Sequence, residues 1–577
     1  MIVSGSISQT PQLRRVATAS QGNSQVEPDA PETLSHFPGH PPTYCTDLTA
    51  AGATPREQVR ASVQWVYLSS VALFLSGGVF YLYLARVLPY AELGSVVVLT
   101  AIAALLSASF GLGLGYGFQH FLSYYLGRSA GSSIRWLLAR GWAMALFLFV
   151  ASSGATATLA SPLSTLFFHS TAFVPMIRVL AVYVGFSTAG SILQSELLGL
   201  QRFVSFSIVT SVGYMVTFGA PVAFLEIRFG VESIVVGWGV GSAIGCILLV
   251  VAILRYRPGE GAVPSAGPNE ESVPRLFRSL LVYSMPMFLA ALVATGTTYV
   301  DRLVLASLTN LANVGVYNYA LLIAGGSLFV VGPFGTITLS KFSELFGRDN
   351  FEGIRALTRV SITLVALVFV PIGLGIVALA PFVLRVLVGS GYVGASLPLQ
   401  FLIGIMAIFV PWVVLTNLAA GTRRTPLLLV STGLALSVNV ALCLVLVPRL
   451  GMFGAVLGNS SVYWVSFLVL FARLRPSGLF EVDVRSLARI WFASLGMFVV
   501  VWLPLLILGY PTTLVPAVVV VGICVLLGLL RVSHAINSET AEALLQVLPK
   551  WLNFARPIIL WAGRTSTHMT PGGPGST

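Results

Sequence analysis

The sequence predicts an all-α integral membrane fold of about fourteen transmembrane helices, arranged as two pseudo-symmetric six-helix lobes plus two C-terminal helices. Three observations predict it: a scarcity of charge, a series of apolar runs of spanning length, and an internal repeat. Of 577 residues 56% are hydrophobic and 9% charged, with a mean hydropathy of +0.89. Soluble domains carry about 25% charged residues. So few charges cannot cover a surface facing water, and lipid is the solvent that fits.

A helix needs about 20 apolar residues to cross the hydrocarbon core. Such runs begin with six at about 65–85, 93–117, 136–160, 173–199, 204–226 and 232–254. Six more follow at about 281–305, 314–338, 360–381, 396–419, 426–447 and 451–472, and two close the series at 489–509 and 512–531. Charge supports the count. With the N-terminus in the cytoplasm and the sides alternating, 26 of the 32 cations fall inside. Arg86, Arg178, Arg228, Arg302, Arg385 and Arg449 fall outside. This asymmetry follows the positive-inside rule and puts both termini in the cytoplasm of a multi-pass cell-membrane protein.

The repeat sets the domain plan. At a shift of 216, Val66-Tyr67 falls on Val282-Tyr283 and Arg86 on Arg302. Gly94 pairs with Gly315, Arg202 with Arg424, and Gly230 and Gly237 with Gly451 and Gly458. Six spans per unit make this a parallel repeat about an axis along the membrane normal. The plan is a disordered cytoplasmic arm at 1–60, lacking a cleavable signal core, and a first lobe at 61–256. A cytoplasmic inter-lobe loop at 257–278 and a second lobe at 279–475 follow, then two additional helices at 476–532 and a cytoplasmic tail at 533–577. Stretch 539–563 of that tail reads equally as an interfacial amphipathic helix or as a frayed end.

Several chemistries are excluded. A net charge of +12 comes from scattered arginines and only two lysines, so no basic stripe for nucleic acid forms. Neither lysine follows a glycine, so a phosphate-cradling Gly-Lys loop is absent. GLGLGYG at 111–117 follows no strand and reads as close helix packing. The six histidines are dispersed and the four cysteines form no CxxC pair, so no metal and no cofactor is expected.

What remains is charge at membrane depth, which costs about 2.5–3.5 kcal/mol at a helix centre and so marks functional candidates. Arg86, Arg302, Asp301, Arg178 and Glu196 are the substrate-binding or gating candidates. Arginine at a helix end also snorkels to headgroups, which is the structural alternative. Asn318, Gln194, Asn417 and Asn439 are expected to bond between helices. Pro286, Pro333, Pro371 and Pro411 are expected to kink their spans.

Two segments carry a resemblance. In 283–323 an Asp301-Arg302 pair ends a helix, and Gly315, Tyr317 and Ala320 follow a short loop. In 421–460 Asn439 precedes Pro448, Gly451, Gly454 and Ala455. Together with LLGLQRF at 197–203, these resemble the polysaccharide-unit flippases of the multidrug/oligosaccharidyl-lipid/polysaccharide exporter superfamily over about 62–475. The resemblance implies a V of two lobes with alternating access and a cavity often lined by cations. It also implies translocation of a polyprenyl-diphosphate-linked oligosaccharide for glycan biosynthesis. The lipid-linked sugar, membrane lipids and glycan-assembly proteins are the expected partners, with no nucleic acid and no catalysis. A multidrug or lipid II-type exporter of the same superfamily is the alternative. A membrane-embedded glycosyltransferase, polymerase or ligase is the alternative from another class, disfavoured by the short outer loops.

Overall fold

The computed structural model describes residues 55–127, 131–227, 230–255, 273–329 and 331–535. All of these lie in one compact unit. Most of the expected arm, most of the 257–278 loop, and the 539–563 stretch lie outside the described residues, as does Arg228.

The described residues form eighteen α-helices. The first eight are α1 (Pro55–Val87), α2 (Tyr90–Gly111), α3 (Leu114–Gly127), α4 (Gly131–Thr158), α5 (Ala160–Phe168), α6 (Val174–Gly199), α7 (Phe203–Ile227) and α8 (Val231–Leu254). The second set is α9 (Val273–Leu308), α10 (Leu311–Leu328), α11 (Gly332–Gly347), α12 (Phe351–Leu387), α13 (Ser396–Phe409), α14 (Trp412–Gly421), α15 (Thr425–Leu450) and α16 (Met452–Leu474). Then come α17 (Val484–Leu508) and α18 (Val515–Val532). Fourteen segments are long and apolar enough to span a bilayer. Helices satisfy their own backbone groups, which hydrocarbon demands.

The surplus of helices over spans comes from breaks inside apolar runs. The second span of each set is interrupted, between α2 and α3 and between α10 and α11. At the first break Leu112 and Gly113 both take positive φ, 48° and 63°. Pro411 caps α14 and Pro333 stands in the first turn of α11, so each opens a helix where a kink was expected. Pro286 and Pro371 stay inside α9 and α12.

Each half repeats the other's packing. α1 lies on α7 as α9 lies on α15, α7 on α8 as α15 on α16, and α3 on α6 as α11 on α14. The match reaches single residues. Gly199 presses on Leu122 and the Gln119 carbonyl, and Gly421 presses on Phe342 and the Leu339 carbonyl. Gln201 and Arg423 both turn through positive φ, at 57° and 58°. The next amide closes the helix end in each case, Arg202 N–H on Leu197 O at 3.1 Å and Arg424 N–H on Ala419 O at 2.9 Å. Gly230 and Gly451 both have positive φ and cap α8 and α16. The two lobes are therefore built alike, and α17 packs on α12 of the second.

Candidate functional site

The lobes meet along a seam of α2, α3 and α5 from the first and α9 and α10 from the second, with α1 adding side-chain and backbone-carbonyl contacts. At the end of the bundle holding the α1–α2 turn, here the Pro89 end, the approach is backbone to backbone. A Cβ on Gly94 would overlap the Leu311 carbonyl oxygen, and one on Gly315 would overlap the Tyr90 carbonyl oxygen and stand 3.1 Å from Gly94 N. Only glycine allows helices this close. Tyr392, in the 3₁₀ turn Ser390–Ala395, receives Tyr90 edge-on from one side and Tyr319 from the other, each at 4.8 Å. The Tyr319 hydroxyl donates to the Tyr81 carbonyl at 2.6 Å.

At the opposite end, marked by the Gln201 turn, the lobes also touch. Phe329 at the end of α10 stacks on Phe74 of α1 at 5.0 Å and lies 5.9 Å from Tyr67. His120 of α3 stacks on Tyr283 of α9 at 4.4 Å. Tyr67 and Tyr283 are repeat partners, and each seats against the other lobe. Gly113 and Gly117 press on Ser284 of α9, as close helix packing at 111–117 requires. The seam is thus closed at both ends rather than open as a V.

The candidate residues separate. Arg86 is exposed in the last turn of α1 and reaches across the seam, donating to the Val386 carbonyl of α12 at 3.4 Å. Arg302 lies between the closures, half-buried, with its guanidinium 5.1 Å from the Tyr299 ring centre. Its Nε is buried without a hydrogen-bond partner. α9 runs to Leu308, beyond the expected 305, which carries Asp301 and Arg302 deeper into the span.

Asp301 turns away from the seam. Its carboxylate is fully buried in the second lobe. Oδ2 accepts from the Tyr317 hydroxyl at 2.7 Å and from Asn459 Nδ2 at 3.1 Å, and Oδ1 accepts the Arg302 backbone N–H at 2.9 Å. It therefore ties α9 to α10 and α16. Glu196 is fully buried in the first lobe; Trp142 Nε1 donates to Oε2 at 3.1 Å, and Oε1 has no partner. Arg178 is exposed near the start of α6, apart from these contacts.

The expected inter-helix amides behave differently. Asn417 donates to Val413 O, and Asn439 accepts from Cys443, both within their own helices. Asn459, not singled out in the sequence, makes the inter-helix bond. Sequence reasoning also missed the tyrosines around Arg302. Tyr81, half-buried, hydrogen-bonds Thr100 at 3.0 Å and lies within electrostatic reach of Tyr299 and Arg302. Tyr183 of α6 is within reach of Tyr81 and Tyr299. A signal was available: tyrosine favours the ends of spans, and these sit inside them.

Chemically, this is one guanidinium packed on the Tyr299 ring with Tyr81 of the other lobe in electrostatic reach. A planar guanidinium with an unused buried donor suits a phosphate or carboxylate. Among the described residues no three His, Cys, Asp or Glu side chains gather to hold a metal ion.

The comparisons with known proteins bear on this arrangement. The polysaccharide biosynthesis protein family matches residues 83–397, more than half of the chain. The chain belongs to this family. No curated protein sequence matches it. Among solved structures, the lipid II flippase MurJ in its inward closed conformation superposes with a TM-score of 0.61 at 16% identity, covering 80% of this chain and 98% of that one. An inward-facing multidrug resistance MATE transporter gives 0.59 at 16% identity, over 70% and 95%. A MOP superfamily transporter from Pyrococcus furiosus gives 0.50 at 16%, over 74% and 97%. This polysaccharide biosynthesis protein thus has the MurJ and MATE fold. Family and fold together describe a polysaccharide biosynthesis protein with fourteen candidate membrane spans on the fold shared by MurJ and MATE transporters.

Proposed function

We propose that this protein is a flippase that moves a polyprenyl-diphosphate-linked oligosaccharide across the cytoplasmic membrane by alternating access, with both termini in the cytoplasm. One observation carries the reading: Arg302 stands between two closed ends of an inter-lobe seam, packed on Tyr299, with a buried donor unused. Moving a diphosphate and sugar hydroxyls through hydrocarbon costs several kcal/mol per unpaired polar group. A guanidinium and phenol hydroxyls along the path lower that cost while the lipid tail stays in the bilayer. Opening one closure at a time exposes the headgroup to each side in turn.

Each candidate takes a part in this scheme. Arg302 meets the diphosphate, Arg86 straps the Pro89 end shut through Val386, and Asp301 fixes α9 so that Arg302 is aimed. Arg178 adds positive charge near the Pro89 end, and Glu196 acts within the first lobe. A cation exporter would be served by a carboxylate at the seam, and both Asp301 and Glu196 are buried inside their lobes.

The test is export in a deletion strain carrying either wild type or Arg302→Ala at equal membrane levels. The reading expects lipid-linked oligosaccharide to accumulate in the inner leaflet with the variant. Undiminished export would remove Arg302 from the path.

A further inference from the structure

The duplication supplies an internal control, because the same fold is built twice with different side chains. Where α6, α7 and α8 converge in the first lobe, the residues are small: Gly190, Gly213, Gly245 and Cys246. Gly213 and Gly245 face each other so openly that a Cβ on Gly213 would still be 3.7 Å from the Gly245 Cα. The matched positions in the second lobe are Trp412, Ala435, Ser466 and Phe467. There Ala435 and Ser466 are buried, and Trp412 and Phe467 pack on Tyr463 and Phe409. In the second lobe, two aromatic side chains thus stand where the first lobe has Gly190 and Cys246. The first lobe leaves a cavity of about 160 Å³.

A cavity of that size accepts one six-membered ring. Its walls are of two kinds. Tyr183, Tyr214 and Phe186 present aromatic surface. Ser187, Gln194 and Thr217 line it too, each half-buried and without a hydrogen-bond partner among the described residues. Unpaired polar groups beside aromatic faces match a sugar ring, whose C–H face packs on π-systems and whose hydroxyls need donors and acceptors. Tyr183 lines this cavity and lies within electrostatic reach of Tyr299, whose ring carries the Arg302 guanidinium at 5.1 Å.

We propose that this first-lobe cavity binds one sugar ring of the lipid-linked substrate while the diphosphate lies at Arg302. The inference rests on the flippase reading and adds the place where the sugar is read. Glycosidic linkage holds sugar and diphosphate together, so one ligand spans both places.

The test uses the full chain in lipid nanodiscs and three probes: undecaprenyl diphosphate, its glucosyl form and its N-acetylglucosaminyl form. Affinity is measured by native mass spectrometry for wild type, for Gln194→Leu and for G213A/C246F, which writes second-lobe residues into the first. Wild type is expected to bind at least one glycosylated probe about tenfold more tightly than the bare diphosphate. Both variants are expected to lose that preference and keep the affinity for the bare diphosphate. A wild type without preference, or variants that retain it, would overturn the sugar subsite and leave the flippase reading standing. Wild type binding none of the three probes would overturn both. Gln194→Leu removes no hydrogen bond among the described residues, so a folding defect in the double variant does not spoil the result.

Discussion

Gly94 of α2 and Gly315 of α10 are repeat partners that meet each other across the seam, each lying against the backbone of the helix that carries the other. The duplication thus shows itself as a contact. The two copies of one glycine form the crossing that closes the Pro89 end, and any side chain there must push the lobes apart.

Gly94→Val is therefore expected to prevent closure. Export should fall by at least tenfold at unchanged protein level, and a cysteine pair at Tyr90 and Tyr392 should stop cross-linking. Gly78→Val is the control, since nothing lies within 4 Å of a Cβ at Gly78. Equal export from both variants would show that this crossing does not move.

Asp301 is expected to matter for stability as well as transport. Asp301→Ala leaves the Asn459 amide without its carboxylate acceptor and the Tyr317 hydroxyl with only the Ala455 carbonyl at 3.3 Å, a loss of about 1–3 kcal/mol for the orphaned amide and less for the hydroxyl. Tyr317→Phe should cost less, about 1 kcal/mol, because the carboxylate keeps two donors. Thermal unfolding in detergent should rank wild type above Tyr317→Phe above Asp301→Ala.

Glu196 and Trp142 correspond in the repeat to Leu418 and Ile362, both buried. The second lobe thus packs the same junction with two apolar side chains. E196L/W142F is expected to fold about as stably as wild type, since apolar replacement of a buried polar pair at similar volume is often neutral or stabilising. Impaired export from such a stable variant would give Glu196 a transport role. A lowered melting temperature would mark the pair as structural.

Asp483 caps α17, accepting from the Ser486 hydroxyl at 2.6 Å and the Ser486 backbone N–H at 3.0 Å. These bonds, the hydroxyl's first, hold its carboxyl below the usual range. A carboxyl depressed by folding stabilises the fold above its unfolded value of about 3.9 and loses that contribution as pH falls through the lower folded value. Asp483→Ala should cost about 1 kcal/mol at neutral pH. The gap in melting temperature from wild type should close below about pH 4.

How much of this was legible follows from what each feature leaves in the sequence. Spans leave long apolar runs, so their number and order could be read. The repeat left glycines and arginines at fixed shifts, and Gly94, Arg202 and Gly230 all match their partners in structure. The break at Leu112 was not legible, because both sides of it are equally apolar and hydropathy does not record a change of φ, whereas Pro411 marked its own break as an expected kink. The group around Arg302 was half legible. A membrane-depth arginine stands out by its cost, whereas Tyr81 comes from a helix far away in the chain. The matched residues that leave a cavity in one lobe and fill it in the other show only once the helices are superposed.

The central claim is that the charged headgroup passes between the lobes beside Arg302. The most direct measurement is photo-cross-linking in intact membranes, with a benzophenone amino acid at Tyr299 and, separately, at exposed Val520 of α18, using radiolabelled lipid-linked oligosaccharide. Labelling of the sugar–diphosphate portion at Tyr299, abolished by Arg302→Ala and absent at Val520, is the predicted result. Labelling at Val520 alone, or at Tyr299 undiminished by Arg302→Ala, would contradict it.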